Sequence, residues 1–118
     1  MTAATIAERV AAGTAFLDEH DPEWWRADVE RAIDLDGLDL GTGSRCILGQ
    51  RCPLETVAPF SEQASALSGI EWRDETSGAL YEWASAHGFD FDLNADESEY
   101  DALTAEWKRL ITERRSAS

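Results

Sequence analysis

The chain has 118 residues, with 24 acids against 10 bases, a net charge of −14 and a pI near 4.3. That balance excludes direct binding of nucleic acid, which needs a basic face, and an anionic membrane surface repels it as well. A 43% apolar fraction and five tryptophans suit one folded domain with a sizeable core, and no apolar run reaches the length of a membrane span.

The first residues, Met1 to Glu8, lack the basic stretch and long apolar run of a secretory signal. Two cysteines in an ordinary domain suit a reducing compartment, so a cytoplasmic protein with two buried thiols is expected. Charge is unevenly placed: residues 1–107 hold 23 acids and 6 bases, a net of −17, while Lys108, Arg109, Arg114 and Arg115 follow with Glu113 as the only acid.

Thr5 to Glu19 is predicted to be the first helix, because Ile6, Val10, Gly13 and Leu17 recur at helical spacing and Phe16 widens the stripe. Gly13 weakens that helix unless it lets another backbone approach closely. Asp21, followed by Pro22 and Glu23, predicts the cap of a second helical segment with Trp24, Trp25, Val29 and Ile33 on its apolar side. Adjacent helical side chains point about 100° apart, so the two tryptophans cannot face one core equally. One is expected to pack inward and the other to lie half exposed, where it is either a contact residue or, on the plainer reading, covered by a later helix.

Ile33 to Leu40 alternates apolar and acidic residues, but Gly37 interrupts it and no second strand exists to pair with it. It reads as an extended linker whose leucines pin onto the helices while its aspartates face water. Gly41-Thr42-Gly43 is a turn, and Ser44 is the expected N-cap of a short helix over Cys46–Arg51, stopped by Pro53. Further helices are predicted over Ser61–Leu67 and Thr76–His87, the second with Leu80, Trp83, Ala84 and His87 on one face. Gly88 follows as a left-handed cap, with Phe89 as its hydrophobic contact. The last helix, Asp96 to Arg114, carries the stripe Tyr100, Leu103, Trp107, Leu110 and Ile111, with acids at its start and arginines at its end, as the helix dipole favours. The whole is mainly α: a single domain of about five helices over residues 1–118 with an extended, glycine-containing central linker, frayed at 1–4 and 115–118.

Asp90, Asp92, Asn94, Ser98 and Asp101 fall at the ligand positions of a calcium loop spanning 90–101. Against it, Ala95 stands where that loop turns on glycine, Glu97 where an apolar residue belongs, and Asp101 where a longer Glu usually chelates. Zinc from Cys46, Cys52, His20 and His87 would need paired spacings that the chain lacks. Cys46 at a helix start, near Arg45 and Arg51, could be an activated thiol, and burial is the plainer alternative. Gly41-x-Gly43 with Gly49 falls short of any phosphate-binding loop. No cofactor or metal is expected.

The Trp24-Trp25 pair, Ile33-Asp34-Leu35-Asp36-Gly37-Leu38-Asp39-Leu40, Cys46-Ile47-Leu48-Gly49-Gln50, Gly88-Phe89 and Tyr100-x-x-Leu103-Thr104-x-x-Trp107 occur in that order. From about Val10 to Arg115 the chain resembles small acidic proteins of actinobacteria and their phages. The resemblance implies that origin and a cytoplasmic life, and carries no activity, because none is established for the group. The expected function is a non-enzymatic acidic interaction protein that binds a basic surface of another protein, in concrete form a phage-type inhibitor or nucleic-acid mimic. Its partner-binding residues are expected to be Trp24, Trp25, Asp34, Asp36, Asp39, Asp90, Asp92, Asp96 and Asp101. The alternatives are a calcium-binding helical module using 90–101 and a small cysteine-dependent enzyme.

Overall fold

Thr5 and Glu8 begin the first helix by capping each other. The Thr5 hydroxyl accepts the Glu8 amide at 3.1 Å and the Glu8 carboxylate accepts the Thr5 amide at 3.2 Å. The helix so started is α1, Ile6–His20. In the computed structural model, which describes residues 5–71, 78–90 and 96–117, it is followed by α2 (Ile47–Arg51), α3 (Pro59–Ser68), α4 (Ala79–Ala86) and α5 (Glu97–Ala117), with no strand among the described residues. The mainly helical class read from the sequence holds. The alternating segment 33–40 is an irregular linker, with Ile33, Leu38 and Leu40 buried.

The core forms where α1 packs on α5 and α4. Val10 and Leu17 from α1 meet Leu103, Trp107 and Ile111 from α5, all of them buried. The Trp24 ring stands edge-on to that of Trp107 at 5.6 Å, and each indole N–H finds a partner: Asp18 Oδ1 at 3.0 Å for Trp24 and the Gly88 carbonyl at 2.7 Å for Trp107. At the end of α4 the amides of Gly88 and Phe89 close back onto the carbonyls of Ser85 and Ala84, with Gly88 at φ +69° and Phe89 buried. This is the glycine-capped helix end expected at that position.

Four expectations change. The segment after Asp21 is not a helix but a chain of turns, because arginines from elsewhere take its backbone carbonyls. Arg51 Nη1 donates to the carbonyls of Glu30 (2.9 Å) and Arg31 (3.1 Å), and Arg115 donates to those of Trp25 and Ile33, both at 2.8 Å. A carbonyl satisfied by a guanidinium has no need of the amide four residues on. The carboxylate of Asp21 is likewise held by Arg51 instead of capping a helix. Second, Trp24 is fully buried, so it belongs to the core and not to a partner surface; Trp25 is half-buried. Third, the cap of α2 is Cys46, whose sulfur accepts the Gly49 amide at 3.3 Å, and not Ser44. Fourth, Arg115 is not in a frayed end: α5 runs to Ala117 and Arg115 is one of its anchors. Thr76 and Trp72 lie outside the described residues.

Candidate functional site

The central linker is fastened at three points. The Leu40 amide donates to the buried Thr104 hydroxyl of α5 at 3.0 Å. The Asp39 amide donates to the Arg45 carbonyl at 3.1 Å, closing the Gly41–Ser44 turn. Gln50 bridges what remains: its Oε1 accepts the Asp34 amide at 2.6 Å, and its Nε2 donates to the carbonyls of Asp34 (3.2 Å) and Arg45 (3.0 Å). α2 seats against this turn, and a Cβ on Gly49 would fall 2.0 Å from the Gly43 carbonyl oxygen.

Asp101, Thr104, Ala105 and Lys108 lie along one face of α5 at helical spacing, opposite residues 36–39 and Arg45. Between them runs an open groove of about 410 Å³. A neighbouring hollow of about 320 Å³ continues it past Asp39, Gly41, Glu97, Tyr100 and Asp101. The Tyr100 hydroxyl donates to Asp90 Oδ1 at 2.8 Å, so Asp90 is one bond from this trough.

The structure therefore brings Asp36, Asp39 and Asp101 together, with Asp90 just behind. Asp34 and Asp39 also hold turns. Asp34 Oδ1 accepts the Asp36 amide at 3.2 Å, while Asp39 accepts the Gly41 amide at 2.9 Å and the Thr42 hydroxyl at 3.0 Å. Asp96 is the cap of α5, accepting the Glu99 amide at 3.0 Å and the Ser98 hydroxyl at 2.7 Å. Those hydrogen bonds, Ser98 to Asp96 first, hold its carboxyl below the usual aspartate value. Trp25 lines a separate hollow with Arg26, Asp28 and Arg115. Asp92 lies outside the described residues.

The cations sort themselves sharply. Arg51 forks onto Asp21 at 2.8 and 2.9 Å, Arg114 onto Asp18 at 2.6 and 2.8 Å, and Arg26 onto Asp28 at 2.9 Å. Arg109 spans Glu106 and Glu113, and Arg31 lies 3.9 Å from Glu30. Among the described residues Arg45 and Lys108 alone have side chains with no hydrogen bond or ion pair, and both line the groove. The sequence reading missed them together with Gln50. The signal was present only as position: Lys108 falls seven residues after Asp101, on the same helical face.

Neither alternative chemistry finds its parts in the described residues. Burial pushes the Cys46 thiol up to about 11, and the nearby negative charge of Asp90 adds to it, which is the reverse of activation. Among the described residues no three of His, Cys, Asp and Glu gather in a way that could hold a metal ion. Of the calcium-loop positions, 91–95 fall outside the described residues, while Asp90, Asp96 and Ser98 are engaged as above. Both histidines instead pack on Phe16, at 4.2 Å for His20 and 5.3 Å for His87.

Compared with protein-family models, curated proteins and solved structures, the chain matches none.

Proposed function

We propose that this protein is a non-enzymatic acidic binder that presents the junction of its central linker and the start of α5 to a basic surface on another protein. The observation that carries this is the sorting of charge. Six of the basic side chains are spent on internal ion pairs or on backbone carbonyls: Arg26, Arg31, Arg51, Arg109, Arg114 and Arg115. Asp36, Asp39, Glu97 and Asp101 gather along the trough with no basic partner among the described residues. Like charges held together raise the local potential and favour fast capture of a positively charged surface. A nucleic-acid-binding protein is the concrete target class, since duplex DNA offers its binders one charge per ~1.7 Å of axis and a carboxylate array can compete for the same groove. The resemblance to phage and actinobacterial proteins makes an inhibitor the favoured form and an actinobacterial lysate the place to look.

The test is parallel capture with the parent and with an Asp36→Asn/Glu97→Gln/Asp101→Asn variant, at low and high salt. These three side chains are exposed and their replacements keep the shape of the surface. A protein held by the parent at low salt, lost at high salt and absent from the variant supports the reading. A protein held equally by both sinks it.

A further inference from the structure

The linker that carries Asp34, Asp36 and Asp39 puts most of its polar groups to use. Asp34 Oδ1 accepts the Asp36 amide, and Asp39 accepts the Gly41 amide and the Thr42 hydroxyl. The amides of Leu38, Asp39 and Leu40 go to the Leu35 carbonyl (3.3 Å), the Arg45 carbonyl (3.1 Å) and the Thr104 hydroxyl (3.0 Å). Two adjacent groups stand apart. The exposed Asp36 carboxylate has no hydrogen bond or ion pair among the described residues, and the Gly37 amide that follows it has no acceptor there. Asp36 and Gly37 are the two central residues of the turn that Leu35 and Leu38 close. They are also the one Asp-Gly pair in the sequence, which has no Asn-Gly.

We infer that Asp36-Gly37 is a modification site, at which the folded protein converts spontaneously to an isoaspartyl linkage. The Gly37 nitrogen attacks Cγ of the protonated Asp36 carboxyl and a C–N bond forms. One carboxyl oxygen leaves as water with the carboxyl and amide protons, giving a cyclic succinimide. Water then adds back and breaks one of the two imide C–N bonds. Cleavage on the Cγ side restores aspartate. Cleavage at the α-carbonyl leaves the chain running through Cβ and Cγ with the α-carboxylate pendant, at no net change of mass or oxidation state. The reaction is intramolecular, so it needs only a free carboxyl beside an unhindered, unengaged nitrogen. Glycine supplies that nitrogen because it has no Cβ, and a Cβ at position 37 would lie 2.8 Å from Asp34 Oδ2. The neighbouring aspartates fail these conditions. Asp34 and Asp39 each precede a leucine, their carboxylates are engaged, and the Leu40 amide is held by Thr104. The inference stands on these contacts and does not depend on the function proposed above. Its consequence falls on the same face: residue 36 keeps its charge, while the main chain between Leu35 and the buried Leu38 lengthens by one carbon.

The experiment ages the full chain at neutral pH and physiological temperature, folded and in urea, and maps the tryptic peptide 32–45. Isoaspartate is read as a second peak of unchanged mass, located by electron-transfer fragmentation. Methyl transfer from S-adenosylmethionine by an isoaspartate-specific carboxyl methyltransferase confirms it. The folded chain is expected to build up that peak at residue 36, at a rate within about tenfold of that in urea, the range that one turn hydrogen bond can cost. Asp36→Glu is expected to remove the peak. Asp36→Asn, which expels ammonia in place of water, is expected to convert faster and with a change of mass. No conversion in the folded chain, whatever happens in urea, overturns the inference. Isomerisation mapped to Asp34 or Asp39 in place of Asp36 overturns it as well. Either result leaves the acidic face to its own capture experiment, in which the variant carrying Asp36→Asn is used freshly prepared.

Discussion

Gly13 of α1 lies so close to the end of α4 that a methyl group on its Cα would fall 2.0 Å from the carbonyl oxygen of His87 and 3.0 Å from the Trp107 ring. Helix propensity alone says that Gly13→Ala should stabilise α1 by about 1 kcal/mol. The contact says the opposite, because the obstructing atom is backbone and cannot rotate away. The expected outcome is a loss of roughly 2–4 kcal/mol in urea unfolding. Gly69→Ala is the contrast, since nothing lies near its Cβ and only its φ of +80° opposes the change. Its cost is expected to be the smaller, about 1–2 kcal/mol.

Asp18 joins three elements: it receives both arms of Arg114 and the indole N–H of Trp24, and the Arg114 guanidinium lies 5.8 Å from the Trp24 ring. The Arg114 hydrogen bond, and to a lesser degree that of Trp24, hold the Asp18 carboxyl below its ordinary 3.8, against the effect of burial. A depressed folded-state pKa stabilises the protein above the unfolded value and stops doing so as pH falls through the folded one. The stability difference between the parent and Asp18→Asn is therefore expected to be full at neutral pH and to shrink below 3.8. The Asp18 side chain is 41% exposed, so solvent screening limits the difference to about 1 kcal/mol. Urea midpoints across that range check it, and a difference that persists in acid would assign the effect to packing.

Helices were legible where periodicity and caps agreed. The stripe in α1, the glycine stop after α4 and the acid-to-arginine polarity of α5 each follow from local chemistry, and Gly13 did mark a close backbone approach. What was not legible depended on atoms distant in sequence. Asp21-Pro22-Glu23 is a good helix start on local grounds, yet Arg51, 30 residues away, holds the aspartate. Arg114 and Arg115 suit a helix C-terminus electrostatically, but their forks onto Asp18 and onto the Trp25 carbonyl are tertiary. The trough was half legible: its aspartates stood out by composition, and their meeting with Lys108 required knowing that Leu40 is tied to Thr104.

Cys46 is expected to be inert in the folded protein. A thiol moved from 9.0 to about 11 holds about a hundredfold less thiolate at neutral pH, and this one is also 2% exposed. Alkylation with iodoacetamide under native conditions, followed by peptide mass mapping, should leave Cys46 unmodified until denaturant is added. A Cys46 labelled faster in the native state than in urea would revive the cysteine-enzyme reading.

Arg51 supports the non-helical segment 21–31 with four hydrogen bonds, two to the Asp21 carboxylate and two to the carbonyls of Glu30 and Arg31. One of those carbonyls belongs to a residue at φ +55°, a left-handed conformation that costs a non-glycine residue about 1 kcal/mol. The guanidinium thus helps to hold a turn that its own sequence resists. Arg51→Lys keeps the charge but cannot reach both the carboxylate and two carbonyls, because an ammonium lacks the planar fork. With the Arg51 side chain 12% exposed and that of Asp21 23% exposed, the expected loss is roughly 2–3 kcal/mol. Amide exchange should accelerate first in residues 21–31, where the backbone loses its anchor, and Arg31→Gly should recover part of the stability by relieving the strain. Arg26→Lys, which alters an exposed fork onto Asp28 alone, should leave the urea midpoint unchanged. If Arg51→Lys matched that control, the segment would owe its shape to the burial of Trp24 and Ile33 and not to the arginine.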